Sequence, residues 1–231
     1  MASTSQVLIT GTNRGIGLEF VKQYAQDGCR VLACCREPEH ATDLKVLAEA
    51  YPNILILRLD VADFAQIDAL ALQLKDEKID VLINNAGIYP DSHMGDADTD
   101  DWLDAFKVNS MAPLKMAKAF TSHIAKSQFK KIATMSSKMG SIDDNTGGGS
   151  YIYRSSKVAA NMVMKSLSID LKPFDIAVVT LHPGWVLTEM GGPNALIDTK
   201  TSVTGLRKVI ENLNLSTTGQ FIAYDGKAIK W

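Results

Sequence analysis

The sequence has few of the features that mark secreted, membrane-spanning or metal-binding proteins. Its three cysteines, Cys29, Cys34 and Cys35, form neither a CxxC pair nor a spaced framework, so we expect buried reduced thiols rather than disulfides. The apolar runs fall short of the ~18–20 residues that span a bilayer. The first residues have neither the basic region nor the apolar region of a secretory signal. These absences predict a protein of the cytoplasm that does not associate with membranes.

Charge of one sign is also lacking. The chain has 24 Lys and Arg residues against 26 Asp and Glu residues, a formal net charge of −2, and so has no basic excess with which to bind nucleic acid. The four histidines are scattered without helical metal-ligand spacing, so we predict no metal site. A length of 231 residues is enough for a sizeable core and predicts a single domain over 1–231.

Short apolar runs alternate with longer amphipathic stretches along the whole chain. Most of the runs are rich in Val, Ile and Leu, which is typical of strands buried on both faces. The predicted strands are 7–10, 30–34, 54–59, 81–83, 131–135, 176–181 and 221–224. The predicted helices are 15–27, 40–50, 63–75, 100–124, 154–171 and 202–212. This alternation predicts an α/β fold: a Rossmann-type, doubly wound parallel sheet of about seven strands with helices on both faces.

A glycine-rich turn joins the first predicted strand to the first predicted helix. Gly11, Gly15 and Gly17 stand in the order GxxxGxG. Glycines allow a tight turn and close backbone approach to a pyrophosphate, and the helix N-terminus offers free N–H groups. A purely structural turn would use the same residues, but the position between a strand and a helix favours dinucleotide binding.

The end of the second predicted strand indicates which dinucleotide binds. A carboxylate there usually holds the 2′-hydroxyl of NAD, whereas this chain has Arg36. A second cation, Arg14, lies in the glycine turn. Two guanidinium groups that converge near the ribose would suit a 2′-phosphate, so we predict NADP(H). The alternative is that both arginines are solvated surface residues.

Tyr153 and Lys157 have the spacing of neighbours on one face of a helix. An i, i+4 pair lies about 5–6 Å apart at Cβ, and an ammonium beside a phenol lowers the pKa of the phenol. Such a tyrosine can give a proton to a carbonyl oxygen. Ser137 follows the fifth predicted strand, where a hydroxyl faces the ligand crevice. Tyr151 is a weaker candidate for the acid because Ser155, not lysine, stands four positions after it.

An acidic run over 96–101 matches the opening alternation of a calcium-binding loop. Its sixth position is Asp101 where such a loop has Gly, and its twelfth is Lys107 where such a loop has Glu. We therefore interpret the run as the capped start of a helix.

The motifs together resemble the classical short-chain dehydrogenase/reductase family over about residues 7–224. The resemblance rests on the 10–17 turn, the Asn-Asn-Ala-Gly sequence at 84–87, Asn109, Ser137, Tyr153 with Lys157, and the 183–188 segment. Within the family the chain is most similar to sniffer-like carbonyl reductases and C-factor-like proteins. The stretches that suggest this are 135–142, 151–154, 181–185 and the closing 224–231.

The resemblance implies a role for each matching residue. Tyr153 would be the acid, Lys157 would lower its pKa and hold the nicotinamide ribose, and Ser137 would orient the carbonyl. Asn109 would hold a water that links Lys157 to solvent. The cofactor-binding residues implied by the motifs and the two arginines are Gly11, Asn13, Arg14, Gly15, Ile16, Gly17, Arg36, Asp60, Val61, Asn84, Ala86, Gly87, Tyr153, Lys157, Pro183, Gly184, Val186 and Thr188.

The function implied is an NADPH-dependent carbonyl reductase that acts on aldehydes, ketones or quinones. The alternatives are an NAD(H)-linked alcohol or steroid dehydrogenase of the same fold and a cofactor-binding signalling protein of C-factor type. A short segment after Thr188 predicts an open substrate pocket. The 16 residues from Ser137 to Tyr153 exceed the usual spacing, and the extra glycines at 147–149 could form a flap. The resemblance implies a homodimer or homotetramer that pairs through helices corresponding to 100–124 and 151–171. Phe106, Met111, Leu114 and Met116 offer apolar surface there, although some of them must pack on the sheet.

Overall fold

Seven parallel strands form one sheet in this computed structural model, which describes residues 5–231. Residues 1–4, which belong to the predicted 1–231 domain, lie outside the described residues. The strands are β1 (Gln6–Thr10), β2 (Arg30–Cys35), β3 (Ile54–Arg58), β4 (Val81–Asn84), β5 (Lys131–Met135), β6 (Ala177–His182) and β7 (Gln220–Ala223). Their order is β3-β2-β1-β4-β5-β6-β7. The predicted doubly wound parallel fold is confirmed.

Helices cover both faces of the sheet. They are α1 (Gly15–Gln26), α2 (Thr42–Ala50), α3 (Phe64–Gln73), α4 (Thr99–Phe106), α5 (Ala112–Ala125), α6 (Tyr151–Asp170) and α7 (Thr199–Asn212). Successive strand residues point to opposite faces, so Val7 and Ile9 pack with α1, α2 and α7, while Leu8 packs with α3, α5 and α6. This alternation of side chains places one apolar core on each face of the sheet.

Several helix boundaries differ from the sequence prediction, and α7 for example begins at Thr199 rather than at the predicted residue 202. The predicted helix 100–124 is divided into α4 and α5 by a wide π-helical turn at Lys107–Met111. The predicted helix 154–171 begins earlier, at Tyr151, directly after Ser150, which has a left-handed φ of 47°. The acidic run does begin a helix, because the Asp98 carboxylate accepts from the backbone N–H groups of Asp100 and Asp101 at 2.8 and 3.1 Å.

The sheet order places a crevice at the carboxyl ends of β1 and β4. The chain runs outward from β1 to β3 and then returns to β4 on the other side of β1. Parallel α/β sheets bind ligands at such a switch point. No helix within residues 5–231 has the length and apolar character needed to cross a membrane.

Candidate active site

The glycine turn after β1 is locked to the loop after β4. Asn85 donates from Nδ2 to the carbonyls of Thr10 and Gly11, both at 2.9 Å. The Thr10 hydroxyl oxygen accepts from the backbone N–H groups of Asn85 and Ala86, both at 3.0 Å. Gly11 has φ +67°, and a Cβ on it would lie 2.9 Å from the Ala86 Cα. Thr10 and Asn85 therefore shape the crevice, although the sequence reasoning gave neither of them a role.

Helix α1 begins at this crevice without a side-chain cap. Arg14 is its N-cap residue, and within the described chain no side chain accepts from the first turn of α1. By contrast, Asp63, Asp98 and Asp198 cap α3, α4 and α7. The free N–H groups and the positive dipole end of α1 thus remain available to an anion.

The crevice is a cleft of about 810 Å³ that runs past most of the predicted site residues. Its predicted lining residues are Gly11, Asn13, Arg14, Gly15, Ile16, Gly17, Arg36, Asp60, Val61, Ala86, Gly87, Tyr153, Lys157, Pro183 and Thr188. A second groove of about 820 Å³ lies along α7 and β7, away from Tyr153 and Lys157. Volume alone therefore does not identify the site, whereas the chemistry of the lining does.

Three residues of the predicted cofactor set lie outside the described lining of this cleft. Asn84 is buried within the sheet and donates from Nδ2 to Thr134 Oγ1 at 3.2 Å. Val186 is buried and pairs with Ile197. Gly184 has φ +87°, and a Cβ on it would lie 2.7 Å from Ile197 Cδ1. These packing contacts help to hold the strand ends, and the cofactor-binding role of the three residues stays a prediction.

The convergence of the two arginines on a 2′-phosphate stays a prediction. Both line the cleft, but the Arg14 Nη1 atom lies 2.8 Å from Glu189 Oε2. Both of these side chains are largely exposed, so the pair is weak and easily exchanged for another anion. The pair connects the glycine turn to the segment after β6, across the cleft from β2.

Tyr153, Lys157 and Ser137 meet at the carboxyl edge of the sheet. The Lys157 Nζ atom lies 5.6 Å from the centre of the Tyr153 ring and donates to the Met135 carbonyl at 3.0 Å. Ser137 lies near enough to Tyr153 to oppose the rise in its pKa, and the Ser137 Oγ accepts from the Met139 N–H at 3.2 Å. All three side chains are buried. The structure therefore brings the predicted acid, its cation and its hydroxyl partner together.

Burial determines the direction in which the pKa of Tyr153 is shifted. Burial raises this pKa to about 12, and the nearby Ser137 opposes this rise. Burial also lowers the pKa of Lys157 to about 8, because a low dielectric disfavours the ammonium. Among the protein's own groups, desolvation of the phenol is the largest influence on the pKa of Tyr153.

Asn109 lies in the π-helical turn between α4 and α5. Its Nδ2 donates to the Ile88 carbonyl and to Ser156 Oγ, both at 2.9 Å, and its Oδ1 accepts from the Ile88 N–H at 2.9 Å. A Cβ on Gly87 would lie 3.2 Å from Asn109 Oδ1 and 3.4 Å from Lys157 Nζ. Asn109 is thus beside Lys157, and such turns often occur at functional sites. Its water-holding role stays a prediction.

Tyr151 differs from Tyr153 in its surroundings. Its side chain is 41% exposed, against 8% for Tyr153, and it lies at the first position of α6. The residue four positions later, Ser155, donates to the Tyr151 carbonyl. Tyr151 therefore has no cation beside its ring comparable to Lys157 in the described structure.

Comparison with known proteins identifies the class. The model of the short chain dehydrogenase family matches residues 5–196, and the chain belongs to that family. It resembles the carbonyl reductase Sniffer of D. melanogaster, with a TM-score of 0.92 and 38% identity over 99% of this chain and 100% of that chain. An NADPH-bound carbonyl reductase from chicken fatty liver has a TM-score of 0.93 and 35% identity over 99% of each chain. The C-signal of Myxococcus xanthus is 40% identical over 164 residues, which are 71% of this chain and 99% of that protein.

Proposed function

We propose that this protein is an NADPH-dependent carbonyl reductase in which Tyr153 is the acid. The observation that carries the proposal is the buried group of Tyr153, Ser137 and Lys157 beside a cleft that begins at an uncapped helix. The similar structures that are named carbonyl reductases, one of them with NADPH bound, support this activity.

The cleft fits a dinucleotide with a 2′-phosphate. Glycines line the turn, the free N-terminus of α1 suits a pyrophosphate, and Asp60 and Val61 form the wall beside β3. Arg36 follows the end of β2, where a 2′-phosphate would need a cation. The residues that would hold the nicotinamide end are Thr188, Tyr153 and Lys157.

The chain's own groups supply position and a proton. Bound NADPH supplies the hydride. Ser137 and Tyr153 together hold the substrate oxygen, so that the carbonyl carbon is presented in one orientation. The Tyr153 O–H bond then breaks and its proton passes to the carbonyl oxygen, which becomes a hydroxyl. Lys157 stabilises the resulting phenolate by its charge.

The first test is the loss of reduced-nicotinamide absorbance, with NADPH and NADH in parallel, against aldehydes, ketones and quinones. Carbonyl-dependent oxidation of NADPH that is much faster than that of NADH is the expected result. Equal or faster use of NADH would instead support an NAD(H)-linked alcohol or steroid dehydrogenase. Binding of NADPH without turnover of any carbonyl would contradict the reductase.

Arg36→Asp tests the choice of cofactor. Loss of a charge-assisted hydrogen bond and the added repulsion should reduce the preference for NADPH by about 10²-fold. Arg30→Asp is the matched control, because Arg30 lies at the opposite end of β2 and is paired with Glu77. The NADPH-to-NADH ratio of kcat/KM should change only in the first variant.

A signalling role is the second candidate, because the C-signal is 40% identical over 71% of this chain. A signalling module that uses the cofactor as a bound ligand needs the cleft and no proton donor. If signalling is the function, a cellular phenotype of the gene should persist in Tyr153→Phe while NADPH binding is kept. Loss of the phenotype in that variant would support the reductase.

We also propose that the protein forms a homodimer or homotetramer and acts in the cytoplasm. Met111, Leu114 and Met162 are about half exposed or more on α5, α6 and the turn before α5, which supports an interface between copies there. Met116 is buried in the core, so it is one of the residues that pack on the sheet rather than on this surface. Light scattering of the wild type and of Met162→Glu would measure the assembly.

A further inference from the structure

A second tyrosine, Tyr89, lies against the proposed acid. The centres of the Tyr89 and Tyr153 rings are 4.4 Å apart, with an angle of 55° between the planes. Tyr89 is 37% exposed, whereas Tyr153 is 8% exposed. One part of the Tyr89 ring therefore covers the acid while the rest faces outward.

The Tyr89 ring is fixed from two sides. The backbone of the preceding residue, Ile88, is held at both its N–H and its carbonyl by Asn109, at 2.9 Å each. The Tyr89 hydroxyl is 2.8 Å from Ser150 Oγ, and Ser150 is the residue directly before α6. Because α6 carries Tyr153, these contacts hold the distance and the angle between the Tyr89 and Tyr153 rings.

Tyr89 lies against Tyr153 and outside the described lining of the cofactor cleft. The described lining of that cleft includes Ile88 and Tyr153 and leaves Tyr89 outside. Other exposed apolar side chains, Ile142 and Trp185, follow β5 and β6 at the same carboxyl edge of the sheet. The edge where a substrate reaches Tyr153 is thus rich in apolar and aromatic surface.

We infer that Tyr89 is a specificity-determining residue whose ring forms one wall for the substrate and favours flat aromatic carbonyl compounds. The inference rests on the proposed function, since it concerns the substrate of the same site. An aromatic ring favours an offset or edge-to-face partner ring over a saturated group of the same size. Aryl aldehydes and quinones should therefore be reduced in preference to saturated carbonyl compounds of equal size.

Benzaldehyde and cyclohexanecarbaldehyde test this directly, because they share one carbon skeleton and differ in ring planarity. Tyr89→Leu removes the aromatic ring, and Tyr89→Phe keeps the ring and removes only the hydroxyl. The ratio of kcat/KM for the aromatic over the saturated aldehyde should fall about fivefold in Tyr89→Leu, the size expected for one aromatic pair. The ratio should stay at the wild-type value in Tyr89→Phe.

Ser150→Ala is the matched control for the hydrogen bond and should behave as Tyr89→Phe does. NADPH affinity, followed by the fluorescence of the bound dinucleotide, should be equal in all variants and shows that the cleft is intact. If Tyr89→Leu lowers kcat/KM equally for both aldehydes, the ratio is unchanged. Tyr89 would then have a purely structural role, and the inference would be overturned. If the wild type oxidises NADPH with carbonyls but Tyr89→Leu shows no change in ratio, only the inference fails. If the wild type reduces no carbonyl compound, the proposed function fails as well.

Discussion

Tyr24 and Tyr153 are both buried tyrosines with a cationic side chain beside the ring. The guanidinium carbon of Arg207 is 4.4 Å from the centre of the Tyr24 ring, and the ammonium of Lys157 is 5.6 Å from that of Tyr153. Burial raises the pKa of both phenols. Each pair thus consists of a buried phenol and a cation over its ring, and these features alone do not tell the two pairs apart.

Their places in the fold separate them. Tyr24 is fully buried on α1, next to Phe20, within the core that α1 shares with α7. In the described chain its hydroxyl has no hydrogen-bond partner of good geometry. Tyr153 lies near Ser137 and lines the cleft. A phenol beside a cation is thus common packing, and access to a crevice at the strand ends is what allows proton transfer.

The largest expected effect separates the two tyrosines by their chemistry. Tyr153→Phe should lower the rate of carbonyl reduction about 10²- to 10⁴-fold, the usual contribution of a positioned acid, and should leave NADPH affinity nearly unchanged. Tyr24→Phe, the control, should leave the rate at the wild-type value. Steady-state kinetics of both variants decides this, and a near-normal rate for Tyr153→Phe would exclude it as the acid.

The two cations should separate in the same way. Lys157→Met removes the charge that stabilises the phenolate, and we expect turnover to fall about 10²-fold. Arg207→Met should keep turnover and lower the free energy of unfolding by about 1 kcal/mol, because Arg207 joins α7 to Tyr24 and Asp27 on α1. Kinetics and urea unfolding of both variants would measure the difference. If Lys157→Met were unfolded under the assay conditions, Lys157 would be needed for stability, as Arg207 is, and the expected difference between the two cations would be contradicted.

Much of this arrangement could be predicted from local patterns. The glycine spacing, the Val- and Ile-rich runs and the i, i+4 spacing of Tyr153 and Lys157 each reflect contacts within a few residues. The sheet order and the meeting of Ser137 with Tyr153 follow from the rules for parallel α/β folds. These parts of the prediction needed no knowledge of side-chain burial.

Other features depend on contacts between distant segments. The π-helical turn at Asn109 cannot be told from an α-helix by its sequence pattern. The hydrogen bonds that fix the Asn109 side chain come from the distant residues Ile88 and Ser156. Helix α6 begins three residues before the predicted start, directly after Ser150, which is left-handed and makes no side-chain capping hydrogen bond. The burial that raises the pKa of Tyr153 cannot be read from its spacing to Lys157.

The pH dependence of turnover should distinguish the catalytic pair from the packed pair. Lys157 is charged below its pKa of about 8 and becomes neutral above it, while Tyr153, with a pKa of about 12, keeps its proton. The reduction rate should therefore be level from pH 6 to about 8 and fall, by up to about tenfold per unit, at higher pH. Tyr24→Phe should keep this profile, and Lys157→Met should lose the decline above pH 8. A rate that rises with pH in the wild type would contradict a protonated Tyr153 as donor.

The smallest expected effect concerns the Tyr24 hydroxyl. Because this oxygen is buried without a good partner in the described residues, the folded state bears the cost of its desolvation. Tyr24→Phe removes that cost and keeps the aromatic ring under Arg207, so the free energy of unfolding should rise by about 1 kcal/mol. Urea unfolding followed by circular dichroism would measure the change, with Tyr153→Phe as the comparison. A loss of stability in Tyr24→Phe would mean that the hydroxyl is bound in solution, and the two tyrosines would then differ in their access to the cleft alone.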